Sequence, residues 1–211
     1  MSTIIFLQIF FVCLLGAMSP GPSMVVVINN AIFKNRYHGI LTSIGHGIGI
    51  GIYAFFAVLG IGIAIETNLF LFNGIKILSV IFLIFLGIKS IINKTKLDFD
   101  KKNIRKEEAT SFLQGFSISI LNPKIFIWFV AIYSQFMSLD NDIIFNSYLV
   151  LTAGIVDAAW YIFLTLLVTS NLALEFVKNK IGKLQRFLGI IFIALGSVSY
   201  THLTLPTICS V

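Results

Sequence analysis

Six predominantly apolar stretches, at about 4–28, 40–65, 70–92, 112–135, 143–170 and 184–203, account for most of this chain. Each is close to the roughly 20 residues that a helix needs to cross a bilayer. Lipid offers the backbone no hydrogen-bond partners, so stretches of this kind cross as helices that satisfy their own polar groups. The composition agrees: of 211 residues, 57% are hydrophobic and only 11% charged, and the mean hydropathy is +0.96. A soluble domain of this size could not bury so much apolar surface. The expected fold class is therefore all-α, a polytopic integral membrane protein with six transmembrane helices.

Two of the six stretches cannot be continuous helices. Ser19-Pro20-Gly21-Pro22 sits inside the first and Asn122-Pro123-Lys124 inside the fourth. Proline removes a backbone donor, clashes with the carbonyl four residues back, and pushes the preceding residue out of the α region. A broken helix is tolerated at membrane depth only where protein or a water-filled cavity satisfies the freed groups. Broken helices in corresponding positions of two halves point to a transporter's binding site.

Loop charges give an orientation. Lys34 and Arg36 follow stretch one, a dense basic cluster from Lys94 to Lys106 follows stretch three, and Lys178, Lys180, Lys183 and Arg186 follow stretch five. The other two loops carry only Glu66, Asp140 and Asp142. By the positive-inside rule the basic loops are cytoplasmic and both termini lie outside. The net charge of +6 thus reports orientation, and nucleic acid is not an expected partner. The lipid bilayer is. The first stretch has no Lys or Arg before Lys34 and is too long for a signal-peptide core, so it is expected to be retained.

The halves resemble each other. Phe6-Leu7-Gln8 and Phe112-Leu113-Gln114 open stretches one and four, Tyr53 and Tyr161 fall in two and five, and Ile81 to Gly87 echoes Ile190 to Gly196. Three spans per half is an odd number, so the second half enters the membrane upside down relative to the first. The expectation is a 3+3 inverted repeat in one domain, residues 1–196, with repeats at 4–93 and 112–196 joined by a solvated linker, 94–111. Val198 to Thr207 is what the nucleotides GTC TCT TAT ACA CAT CTG ACG CTG CCG ACG would encode, and those nucleotides look like a transposase sequencing adapter read as protein. Residues 197–211, with His202 and Cys209, are accordingly expected to be an artefact and carry no part of the site argument. The glycines at 45, 47, 49 and 51 have the spacing of close helix packing, which permits a homodimer without demanding one.

Asp157 is the most informative side chain, because an ionised group within a span costs roughly 2.5–3.5 kcal/mol even on a lenient scale. It either faces a cavity, where it binds a substrate ammonium or carries a coupling proton, or it pairs structurally, with Lys124 as one partner. Asn122 is a natural cap for a half-helix starting at Pro123, and Ser19 for one starting at Pro20. Such helix starts favour an anionic group. The residues Ser19, Pro20, Gly21, Pro22 and Ser23, with Asn122, Pro123, Lys124 and Asp157, are thus the candidate substrate site. A zwitterion suits it, with its carboxylate at a half-helix start and its ammonium near Asp157. His46, between two glycines, is a second candidate for carrying the coupling proton, as Asp157 is, or else a packing histidine. Tyr53, Trp128, Trp160 and Tyr161 are expected to pack or to sit at the interface, Cys13 to pack, and Lys76 to snorkel outward.

Enzyme signatures are missing: there is no phosphate-binding glycine loop, no HExxH, no CxxC, and SPGPS is not a nucleophile elbow. The chain is not expected to be an enzyme. The SPGP motif, the stretch FLQGFSISILNPKIFIWFVAIYSQF from Phe112 to Phe136, and Asp157 three residues before Trp160 together resemble the LysE/RhtB-type amino-acid exporters. The resemblance covers about residues 4–196. It implies export of amino acids or close derivatives from the cytoplasm across a bacterial inner membrane, driven by the proton-motive force, with no cofactor. Two rivals stand beside it. A divalent-metal exporter would have only Asp157 and His46 as good ligands in the spans, too few for a typical site. A non-transporting membrane scaffold would use the breaks for assembly alone.

Overall fold

The computed structural model describes residues 3–92, 108–137, 142–170 and 173–208, and all their regular structure is helical. The helices are α1 (Thr3–Met18), α2 (Pro22–Asn29), α3 (Arg36–Thr67), α4 (Leu69–Ile92), α5 (Glu108–Ile120), α6 (Pro123–Tyr133), α7 (Ile143–Val168) and α8 (Ala173–Ile208). Helices α3, α4 and α7 and the Lys180–Val198 part of α8 are each long and apolar enough to cross a membrane. The remaining helices reach that length only in pairs, α1 with α2 bent by 70° and α5 with α6 bent by 58°. Counting each bent pair as one span gives six, and the protein is an all-α polytopic membrane protein. Most of the expected linker, residues 94–107, lies outside the described residues, as does Cys209.

The first break differs in detail from the expected one. The half-helix starts at Pro22, and Gly21 precedes it in extended backbone (φ −174°) with no side-chain cap. Gly21 is itself a pre-proline residue and is held out of the α region, so helix cannot begin at Pro20 and Ser19 caps nothing. At the second break the half-helix starts at Pro123 as the sequence suggests, and the Asn122 side chain accepts from the Lys124 N–H at 3.2 Å. The Tyr53 hydroxyl donates to the Ile120 carbonyl at the end of α5, so a side chain from α3 satisfies backbone freed by the break.

The first span also runs on further than its apolar stretch. A π-helical turn, Asn30–Lys34, extends α2, and Asn35 then caps α3 by accepting from the His38 N–H at 3.0 Å. The π turn's two polar side chains, Asn30 and Lys34, find polar partners. The Asn30 amide donates to Thr42 at 2.8 Å and to Gln114 at 2.9 Å, while the Lys34 ammonium donates to Ser111 at 2.7 Å. The first broken span is thereby tied to α3 and α5.

Helix α3 lies between α5 and α7, α1 packs on α7, and α4 packs on α8. Glycine allows the closest of these approaches. Gly45 faces the Phe112 carbonyl of α5, and a Cβ on Gly47 would lie 2.7 Å from the Gly154 carbonyl of α7. Tyr133, fully buried, donates to the Leu149 carbonyl at 2.6 Å, and Tyr148 donates to the Phe6 carbonyl at 3.0 Å. These bonds fix α6 and α1 against α7. At the start of α7, the Asp142 carboxylate accepts from the Phe145 N–H at 2.8 Å. Asp142→Ala is expected to lower stability by about 1 kcal/mol without changing the site, read as a lower thermal midpoint of the detergent-solubilised protein.

Candidate functional site

The two breaks, α3 and α7 enclose a cavity of about 70 Å³. Ser19, Gly21, Pro22 and Ser23 line it from the first break, and Asn122 and Lys124 from the second. His46 of α3 and Asp157 of α7 complete its polar lining with the Tyr161 hydroxyl group's residue beside them. Eight of the residues singled out in the sequence therefore meet around one space. Pro20 lines a neighbouring cavity instead.

Asp157 is 5% exposed, and its partner is His46. The His46 Nδ1 and Asp157 Oδ2 are 2.6 Å apart, and because a carboxylate only accepts, the shared hydrogen is assigned to Nδ1. The pairing of Asp157 with Lys124 that the sequence left open is not formed. The Lys124 ammonium donates to Ser19 across the two breaks at 3.1 Å. The reason is positional: Lys124 follows Asn122-Pro123 directly, opposite the first break, whereas His46 and Asp157 face each other where the glycines let α3 and α7 approach. The cavity thus has a cationic end at Lys124 and an acid–imidazole couple elsewhere in its lining.

The His46 Nε2 is buried and has no hydrogen-bond partner among the described residues. Its ring lies edge-on to Tyr161, with centroids 4.9 Å apart. A buried imidazole normally satisfies both nitrogens, so this side chain holds one nitrogen to an acid and leaves the other uncommitted at a cavity wall. Among the described residues no group of three or more His, Cys, Asp and Glu could hold a metal ion.

The aromatic lining is what sequence reasoning missed. Trp128 and Tyr161, expected to pack or sit at the interface, both line the cavity, and Cys13 does too. They pack as well: Trp128 lies against Phe192 with centroids 4.8 Å apart and closes over Gly16, where a Cβ would sit 2.7 Å from its Nε1. The signal was available in the spacing. Tyr161 lies four residues beyond Asp157, on the same helix face.

The LysE type translocator profile matches residues 14–201. An uncharacterized membrane protein, YrhP, of Bacillus subtilis (strain 168) is 31% identical over 191 residues, covering 84% of this chain and 89% of that protein. A leucine efflux protein of Klebsiella pneumoniae is 26% identical over 184 residues, 84% of this chain and 86% of its own. A threonine efflux protein of Escherichia coli (strain K12) is 26% identical over 141 residues, 65% of this chain and 68% of its own. No solved structure matches. With a profile match over most of its length, its broken spans and its intramembrane acid, the chain belongs to the family of LysE type translocators.

Proposed function

We propose that this protein exports amino acids or close derivatives from the cytoplasm of a bacterial cell, in exchange for protons, by alternating access through the cavity between its two breaks. The observation that carries the reading is the His46–Asp157 couple on the wall of a cavity whose other polar groups include Lys124. The similarity to a leucine and a threonine efflux protein supports amino acids as the substrate class.

In the proposed cycle His46 is protonated and paired with Asp157 when no substrate is bound. An amino acid arriving from the cytoplasm places its carboxylate at Lys124 and the half-helix starts, and its ammonium at Asp157. The ammonium takes over the carboxylate that held the His46 ring, and the couple's proton passes to the cytoplasm. After the cavity opens outward the amino acid leaves, and a proton from outside restores the pair. One proton enters for each amino acid exported, and Asp157 is never without a cation.

Packing gives support to the inverted-repeat plan that alternating access requires. The broken span of each half packs on the second span of the other, α1 on α7 and α5 on α3. Gly47 and Gly154 approach each other reciprocally, each one's added Cβ meeting the other's carbonyl. Contacts of this kind arise about a two-fold relation. In this reading the ends of α2, α4 and α7 and the start of α8 face the cytoplasm and both termini lie outside, as the distribution of loop charge supports.

Dipeptide-fed cells expressing the protein test the reading. One or a few amino acids should appear in the medium faster than from control cells, and a proton uncoupler should remove the difference. Equal release of all twenty, with the protein confirmed in the membrane, would refute it.

A further inference from the structure

Resting on that export reading, we propose that a second cavity is the vestibule through which substrate reaches the first, and that Lys89 with Lys124 binds its carboxylate there. This cavity measures about 290 Å³ against about 70 Å³ for the central one. The second thus offers about four times the open space of the central one, enough for a solute to gather before it enters the narrower space. The two share Ser19, Lys124 and Phe192, so a solute in one is in contact with the wall of the other.

The lining has a definite chemistry. Phe82, Phe85 and Leu86 of α4 and Phe192 of α8 give an apolar wall, and Lys89 and Lys124 bring two ammonium groups. No acidic side chain among the described residues lines it. Lys124 is held by Ser19, and the Lys89 ammonium sits over the Phe85 ring, 5.7 Å from its centroid. That contact is near the outer limit for a cation over a ring, so the exposed Lys89 ammonium stays available to an anion. Two like charges on one partly apolar space are relieved by a bound anion, and the apolar wall receives an aliphatic side chain.

The position suits a vestibule. Lys89 lies in the last turn of α4, the end that loop charge assigns to the cytoplasm, and Lys124 lies at the second break. Below them Gly87 and Gly189 bring α4 and α8 close, and the Ser90 hydroxyl donates to the Gln185 carbonyl at 2.8 Å, so the wall between the two helices is tight. A carboxylate would pass from Lys89 to Lys124, and the ammonium would then reach Asp157.

The same two cations would also attract the phosphate of an anionic lipid, since Phe85 is half exposed on the outside of the bundle. The shared chemistry is a singly charged oxyanion. The cavity's continuity with the central one favours the solute, and the test separates the sources.

The full chain carrying Trp160→Phe, so that Trp128 is its one tryptophan, is placed in nanodiscs of phosphatidylcholine and titrated with potassium acetate against potassium chloride at constant ionic strength. Trp128 touches Phe192 and reports on the cavity. A saturable fluorescence change is expected, at least tenfold weaker in Lys89→Gln, kept in Lys89→Arg, and unaltered in Lys76→Gln, whose lysine lies over the Phe72 ring instead. No saturable change, or one unaltered by Lys89→Gln, would overturn the proposal. If acetate fails to act and phosphatidylglycerol alone produces the Lys89-dependent change, the site belongs to lipid and the solute assignment falls. In inverted membrane vesicles, Lys89→Gln should raise the half-saturating concentration of leucine or threonine about tenfold with the maximal rate within twofold. Unaltered half-saturation would sink the vestibule and leave the exporter standing. Acetate binding through Lys89 with no amino-acid transport by the unaltered protein would sink the exporter and leave an anion site.

Discussion

Asp157→Asn is expected to reduce amino-acid export to the level of cells lacking the protein, a loss of at least about 100-fold. A charge-paired contact at a buried site is worth about 3 kcal/mol or more, and each 1.4 kcal/mol is about tenfold in an equilibrium constant. Asparagine has nearly the shape of aspartate, and its side-chain carbonyl can still accept from the His46 Nδ1–H that Asp157 now accepts at 2.6 Å. The fold should therefore survive, and membrane-inserted protein should be found in ordinary amount. What disappears is the negative charge for which the substrate ammonium and the imidazolium compete. His46→Gln separates the two roles. It leaves Asp157 able to bind an ammonium, so exchange of labelled for unlabelled amino acid across vesicles should persist, while export against a gradient is lost. Accumulative export by either variant at the unaltered rate would remove the couple from the mechanism.

The breaks and the acid were legible in the sequence because each violates a rule that lipid enforces. Prolines in an apolar stretch and a carboxylate in a span both require a polar or aqueous environment, so Ser19 to Ser23, Asn122, Lys124 and Asp157 could be named before any coordinates. Partner choice was not legible. Whether Asp157 meets Lys124 or His46 depends on the rotation of α7 about its axis and on how closely α3 approaches it, and the apolar composition of these helices fixes neither. The cap at the first break was misplaced by two residues, since the rule that bars helix before Pro20 acts again before Pro22. The π turn at Asn30–Lys34 was hidden for another reason: its stability comes from Thr42, Gln114 and Ser111, partners distant in sequence. The aromatic wall shows the limit of periodicity arguments. Trp128 and Tyr161 read as packing or interfacial residues, and they do pack, Trp128 on Phe192, but one face of the packed layer is also the wall of a cavity.

Gly115→Ala should be the most destabilising single methyl that can be added to the bundle's interior. A Cβ there would fall on the Thr42 carbonyl oxygen and lie 3.0 Å from the His46 backbone nitrogen. Both are backbone atoms of α3, and neither can rotate away as the end of a side chain would. Helix α5 would have to withdraw from α3, stretching the bonds from Asn30 to Thr42 and Gln114 and moving the turn that positions His46. Overpacking of this kind costs about 1–3 kcal/mol, and the rigid contact puts the expected loss at or above the top of that range. A protein with roughly 5–15 kcal/mol of stability feels such a loss strongly. Gly60→Ala, also in α3, is the matched control, because nothing lies within 4 Å of its added Cβ. Alanine there gains about 1 kcal/mol of helix propensity, so its thermal midpoint should be higher. The two variants differ only in where one methyl points. Measured side by side by the temperature at which the detergent-solubilised protein aggregates, they should move in opposite directions, and a Gly115→Ala protein as stable as the Gly60→Ala one would mean that α5 and α3 are not in backbone contact and that His46 is positioned by something else.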